Sequence, residues 1–273
     1  MWRKAYHLSV ATHPPMSDDR SGFRRAAAIV ALVLGVVGLV ISGAGLAIAI
    51  LPRHFTAGQQ QAITTWEVNG RWRNLPAGEI FPGSVGYTLP DTVVQDDPPL
   101  ELRAVRVAIA PQTGCAAGVS SSAAAAVLHH EGCEAMLRAT YVDQTMSFVM
   151  TVGVAVLPSS GAAAAASDGL SVTELAAERD GGALPAGVRV VHFSGADGGM
   201  YDYSKQVSAT LASGPYLVLY AAGYADGRPR VQLAHDSYSQ AEITSLAQGV
   251  ATTVANTLGS APAAPRCPGS PGC

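Results

Sequence analysis

The chain has 273 residues, a net charge of -3 and only 14% charged residues, with 29 glycines and four cysteines. That length allows an anchor plus one sizeable domain. The charge excludes the clustered basic face that nucleic-acid binding needs, and no nucleic-acid partner is expected. Charge is also unevenly placed: residues 1–25 carry five Arg or Lys against two Asp, residues 26–51 carry none, and residues 52–273 carry twelve against eighteen.

Met1 to Phe23 contains Pro14-Pro15 and Ser17-Asp18-Asp19 and has no apolar period, so residues 1–25 are predicted to be a disordered cytoplasmic tail. Ala26 to Leu51 follows Arg24-Arg25 and precedes Pro52-Arg53. As a helix this stretch would be about 39 Å long, enough to cross a hydrocarbon core of about 30 Å with some tilt. Ala47-Ile48-Ala49 resembles a signal-peptide cleavage site, but the apolar core exceeds the 7–15 or so residues of such signals, and a retained anchor is expected. The basic flank places the N-terminus in the cytoplasm and residues 52–273 outside, in a single-pass plasma-membrane protein. Ala28, Ala31, Gly35, Gly38, Ser42, Gly45 and Ala49 recur at alternating spacings of three and four. A small-residue stripe of that period suits close helix packing in lipid. The expected partners are therefore the bilayer and, through this face, a second copy or another membrane or envelope protein.

Residues 52–99 are predicted to be a stalk and wrapping segment. His54 to Thr65 is polar enough to be a stalk or a helical extension, and Trp66, Trp72 and the prolines at 76, 82, 90 and 98 follow. Trp66 and Trp72 suit partner recognition or the membrane interface. The reading preferred for the segment packs Trp72 and Phe81 onto the domain.

Residues 100–259 are predicted to be an extracytoplasmic α+β domain. Arg103, Val105, Val107 and Ile109 alternate with Leu102, Ala104, Arg106 and Ala108 as a half-buried strand. Ser121-Ser122 opens an Ala-rich helix to His130 with Gly132 as its stop. Ala135 to Tyr141 alternates again, and Phe148 to Leu157, apolar on both faces, reads as a central strand. Ser171-Val172-Thr173-Glu174 has capping-box spacing for a short helix ending at Gly181-Gly182, and Val188 to Phe193 reads as the next strand. The order βαββαβ predicts a ferredoxin-like antiparallel sheet with helices on one face. A hairpin, Gln206 to Ala212 and Tyr216 to Tyr224 around Ser213-Gly214-Pro215, extends it. A C-terminal helix closes it, with a capping box at Ser239 and Glu242 and an apolar stripe of Ile243, Leu246, Val250, Val254 and Leu258. Residues 260–273 read as a disordered Pro/Ala/Gly-rich tail.

All four cysteines fall on the expected outer side, where disulfides persist. Of three possible connectivities, Cys115–Cys133 is expected, and Cys267 and Cys273 could close a small ring. No CxxC, HExxH or GxSxG occurs, so no metal, cofactor or catalytic residue is assigned. A hydrolase would need His192 or His235 to meet a carboxylate and a Ser or Cys in one cleft. His129 and His130 read as exposed residues at a helix end. Asp197 to Asp202 lacks calcium-loop spacing. Tyr216, Tyr220 and Tyr224 fall on one strand face, either as ordinary sheet packing or as a groove for a ligand.

Three stretches, Trp72 to Pro82, Gly132 to Asp143 and Gly223 to Arg228, resemble uncharacterised single-pass membrane proteins of actinobacteria. The resemblance spans most of residues 66–258. It implies a cell-envelope location and carries no activity. The composite expectation is a non-enzymatic, membrane-anchored interaction or accessory protein, the alternative being a ligand-sensing domain.

Overall fold

The computed structural model describes residues 32, 55–90, 100–179, 187–191, 205–228 and 237–262. The chain divides at Phe55/Thr56 into two compact units. The predicted span 26–51, except Leu32, lies outside the described residues, as do the N-terminal tail and residues 263–273. No helix among the described residues is long and apolar enough to cross a membrane.

The second unit is α+β, as expected. Its elements are α1 (Ala57–Asn74), α2 (Ala77–Ile80), β1 (Ser84–Thr88), β2 (Glu101–Thr113), α3 (Cys115–Gly118), α4 (Ser122–His130), β3 (Ala135–Asp143), β4 (Phe148–Val156), α5 (Ser160–Arg179), β5 (Lys205–Ser213), β6 (Tyr216–Tyr224) and α6 (Ser237–Gly259). The six strands form one sheet in the order β1-β2-β3-β4-β6-β5, every neighbouring pair antiparallel.

That order departs from the ferredoxin-like expectation. In a split βαβ unit the helix carries the chain back along the sheet, so that the next strand runs parallel and a third fits between them. Here β2 and β3 are direct antiparallel neighbours. The connection is closed at its base: Cys115 opens α3, Cys133 precedes β3, and their disulfide holds the two Cα atoms 6.2 Å apart. The α3–α4 excursion therefore leaves and returns at one end of the sheet. The second half does contain a split unit, since β4 and β5 are both antiparallel to the intervening β6 and hence parallel to each other. The strand expected at Val188 to Phe193 contributes one isolated bridge, Val188 to Val119, and residues 192–193 lie outside the described set.

Both faces of the sheet are covered, another departure from the one-sided expectation. On one face, Val152, Val154, Val218 and Ala222 meet Ile243, Leu246, Val250, Val254 and Leu258 of α6, all fully buried. On the other, Val149, Ala155, Leu217, Leu219 and Ala221 meet Leu128, Ala163, Ala166 and Leu170 of α4 and α5. Strands β4 and β6 are apolar at successive positions because each side chain, up or down, enters a core. The small side chains of α5 and α6 let both helices sit close to the sheet.

Local signals acted at other places than expected. Helix α5 starts eleven residues before Ser171, where Ser159 Oγ accepts the Ala162 amide at 3.1 Å. The alanine run that follows is the best helix former available, and Ser171 merely donates back to Ser167 O. Residues 55–90 are structured. Thr56 and Gln59 form a capping box for α1, and β1 belongs to the sheet, which begins sixteen residues before the predicted domain start. Trp72 packs on the core and Phe81 is buried, as the wrapping reading expected. In β2 the buried set is Leu102 and Ala104, while Val105, Val107 and Ile109 are exposed across a register shift between Arg106 and Ala108. The β5–β6 turn places Gly214 at φ 58°, a conformation that favours glycine.

Candidate functional site

The tyrosine stripe of β6 divides by depth. Tyr216 is fully buried, and its hydroxyl donates to Val68 O at 2.5 Å and accepts the Trp72 amide at 3.3 Å. Those two backbone groups are four residues apart in α1, so the phenol docks that helix by entering its hydrogen-bond ladder. Burial pushes the Tyr216 phenol up from its ordinary pKa, with smaller opposing effects from Trp72 and Arg71. Tyr220 is buried in the same core. Tyr224, at the end of the strand, lines a cavity.

That cavity is a cleft of about 380 Å³ at one end of the sheet. Met146, Ser147 and Phe148 of the β3–β4 hairpin form one wall, and Tyr224, Asp226 and Arg228 another. Ser239 of the first turn of α6 completes it. The Phe148 and Tyr224 rings lie 5.5 Å apart, and the Arg228 guanidinium lies 4.5 Å from the centre of the Tyr224 ring. Arg228 Nε donates to both Asp226 oxygens at 3.0 and 2.7 Å, and its Nη2 donates to Oδ2. Those bonds hold the Asp226 carboxyl below the usual carboxylate range. The result is an oriented guanidinium on an aromatic plate, a geometry suited to recognising polar or acidic groups.

Behind the cleft lies a buried acidic cluster. Asp143, 1% exposed, accepts the Phe148 amide at 2.6 Å, the Thr145 amide at 2.7 Å and the Thr145 hydroxyl. It thereby sets the hairpin, in which Met146 adopts φ 57°. Glu242 is 8% exposed and faces Asp143 and Tyr87 of β1. Burial, then the Asp143 charge, pushes its carboxyl up from the usual range, against a smaller opposing effect of Tyr87. The Tyr87 hydroxyl is sealed from solvent and makes no hydrogen bond of ordinary geometry, although Glu242 is beside it. Its own pKa is raised, chiefly by burial and then by Glu242 and Asp143. The helix begins at Ser237, so Ser239 and Glu242 are not its capping box. The place of Glu242, one turn inside the helix on the sheet side, follows from its spacing of four residues before the buried Leu246.

A second hollow of about 290 Å³ lies between α1, the β5–β6 turn and the end of α6, with Thr64, Val68, Pro158, Pro215 and Gly259 in its wall. Nearby, Arg71 Nη1 donates to the carbonyls of Thr257, Leu258 and Ser260, a cation on the exposed dipole end of α6.

Of the remaining sequence-level assignments, Cys115 and Cys133 form the expected disulfide. Cys267, Cys273, His192 and His235, the Asp197–Asp202 loop and the small-residue stripe Ala28, Ala31, Gly35, Gly38, Ser42, Gly45 and Ala49 lie outside the described residues, though Leu32 falls within that stripe's span. His129 and His130 are exposed at the end of α4, with His130 Nδ1 2.8 Å from Glu131 Oε1. Trp66 is half-buried on α1, and Trp72 carries Arg73 over its ring. Among the described residues no three His, Cys, Asp or Glu side chains gather as a metal-binding group. No protein-family model, curated protein or solved structure matches the chain.

Proposed function

We propose that the chain is a non-enzymatic, membrane-anchored binding protein of the cell envelope. Residues 26–51 tether a disulfide-bonded extracytoplasmic domain whose recognition site is the cleft at the end of β6. The observation that carries this reading is the state of the cleft's charges. Asp226 is engaged by Arg228 and Asp143 by the hairpin amides, so the site offers an oriented guanidinium, an aromatic ring and hydroxyls rather than a base beside a nucleophile. The uncharged 26-residue stretch with its basic flank, the Cys115–Cys133 disulfide and the resemblance to actinobacterial single-pass proteins support the location. The small-residue stripe supports association in the membrane with a second copy or another membrane protein.

The test is in-cell photo-cross-linking of the full chain from a reactive side chain at Ser147, in the cleft wall, and at Ser122, at the exposed start of α4. The expected result is a discrete adduct from Ser147 alone, lost with Arg228→Glu. Equal adducts from both positions, or adducts indifferent to Arg228→Glu, would sink the reading. A membrane two-hybrid signal that survives replacement of Gly35, Gly38, Ser42 and Gly45 by Leu would remove the stripe from it.

A further inference from the structure

We infer that Met146 is the specificity-determining contact of the cleft. The ligand is a polypeptide segment that sets an apolar side chain against the Met146 thioether and an oxygen on Arg228. The inference names the ligand of the cleft and rests on reading the cleft as the recognition site.

The backbone carries the first observation. Met146 adopts φ 57°, whereas the other positive φ angles among the described residues belong to glycines. A side chain in that region crowds its Cβ against a carbonyl oxygen, a clash that glycine avoids and asparagine tolerates better than most residues. The hairpin nonetheless imposes the conformation. The Met146 amide donates to Asp143 O at 3.0 Å, and Asp143 in turn accepts the Thr145 amide at 2.7 Å and the Phe148 amide at 2.6 Å. The Ala225 amide donates to Ser147 O at 2.9 Å and ties the hairpin to the end of β6. Strain held in place by its surroundings in this way is a mark of ligand-contacting positions.

Exposure is the second observation. Met146 is 59% exposed and belongs to neither core cluster. The fold would therefore be better served by glycine or asparagine at this position, both for the backbone and for the side chain. A local rule broken without gain to the fold points to function. Met146 stands in the cleft wall, and an unbranched thioether adapts its shape to an apolar group laid against it.

The rest of the cleft defines what accompanies that apolar group. The Phe148 and Tyr224 rings, 5.5 Å apart, continue the apolar surface. Arg228 Nε and Nη2 are engaged by Asp226, which balances the guanidinium charge, while Nη1 takes no part in those bonds and can donate to one oxygen. A charge-balanced site of this kind draws its affinity from apolar contact and takes direction from one hydrogen bond. A peptide supplies both, an apolar side chain and a backbone carbonyl a few ångströms from it, and a cleft of about 380 Å³ has room for such a segment.

The test compares in-cell photo-cross-linking of the full chain in four forms: wild type, Met146→Asn, Met146→Leu and Arg228→Glu. Probes are placed at Ser147 and, on α6, at Ser239, and urea denaturation is run on the same variants without probes. Met146→Asn should cut the polypeptide adduct from both probes by about tenfold, the loss expected for one apolar side chain taken out of a contact. The same variant should denature at a higher urea concentration than the wild type, because asparagine relieves the backbone. Met146→Leu should keep the adduct and show no such gain in stability. A Met146→Asn adduct equal to the wild type, with Arg228→Glu still abolishing it, overturns this inference and leaves the recognition reading standing. So does a Met146→Leu adduct as weak as that of Met146→Asn, or an adduct whose added mass is lipid or glycan. A lower urea midpoint for Met146→Asn overturns the argument from strain. A wild-type adduct that does not depend on Arg228 removes the recognition reading and this inference together.

Discussion

Removing the Cys115–Cys133 disulfide is the perturbation whose effect follows most directly from the structure. The bridge closes a loop with a sequence separation of 18 residues. A cross-link of that span takes about 3 kcal/mol of conformational freedom from the unfolded chain at 25 °C. Inside the folded domain little else should change, because α3 and α4 are also held by the Val119–Val188 bridge, the buried Leu128 and the Ser121 cap on the Ala124 amide. The double variant Cys115→Ala/Cys133→Ala in the full chain should therefore fold to the same secondary structure with lower stability. With a urea m-value of roughly 2–3 kcal/mol/M, near the upper end for small domains, the midpoint should fall by roughly 1–1.5 M. Circular dichroism in urea measures it. Equal midpoints would refute the loop-closure reasoning. Loss of the native spectrum without denaturant would show that the disulfide directs the β2–β3 pairing rather than merely stabilising it.

Gly249→Ala sets a gain in helix propensity of about 1 kcal/mol against an added Cβ 2.8 Å from Tyr87 Cβ, an atom that cannot swing away. Overpacking of this kind costs about 1–3 kcal/mol, so thermal denaturation should show a net loss, and a stabilised protein would mean that α6 does not press on β1. Tyr216→Phe removes the phenol between Val68 O and the Trp72 amide. Stability should fall by about 0.5–1.5 kcal/mol, with exchange quickening first in α1, and unchanged α1 protection would contradict its role as the dock. For Glu242 the folded pKa lies above the unfolded one, so the folded state binds the extra proton and stability falls as pH rises from about 4.3 toward the folded value. Glu242→Gln should therefore match the wild type in acid and exceed it at neutral pH. Denaturation midpoints at the two pH values would expose the reverse pattern.

Some of this fold is legible in the sequence because single elements announce themselves. The stripe Ile243, Leu246, Val250, Val254 and Leu258 identifies the buried face of α6 without reference to a neighbour. The Ser213-Gly214-Pro215 turn between two apolar runs marks the β5–β6 hairpin, and Phe148 to Leu157, apolar on both faces, marks a central strand. Strand order is different in kind, because the same βαββαβ string fits several sheets until a long-range constraint chooses among them. Here the short return from β2 to β3, closed by the Cys115–Cys133 disulfide, accompanies direct antiparallel pairing of the two strands. Helix α1 is legible only as a stalk or helical extension over His54 to Thr65, because just Ile63 and Val68 of its 18 residues are buried, too few to show a stripe. Strand β1 has five residues with Gly86 at its centre, too short for a clear alternation. The candidate cleft depends on three elements far apart in sequence, so Tyr224 could be suspected but Ser147, Arg228 and Ser239 could not.

The account joins a disulfide-bonded domain to an extracytoplasmic location, and one measurement addresses both. Cells making the full-length protein are quenched in acid, their free thiols are alkylated under denaturing conditions, and peptides containing Cys115 and Cys133 are analysed by mass spectrometry before and after reduction. The account predicts that the two cysteines escape alkylation and appear as one linked peptide pair that reduction separates. Alkylated Cys115 and Cys133 in the steady-state protein would place the domain in a reducing compartment and contradict it.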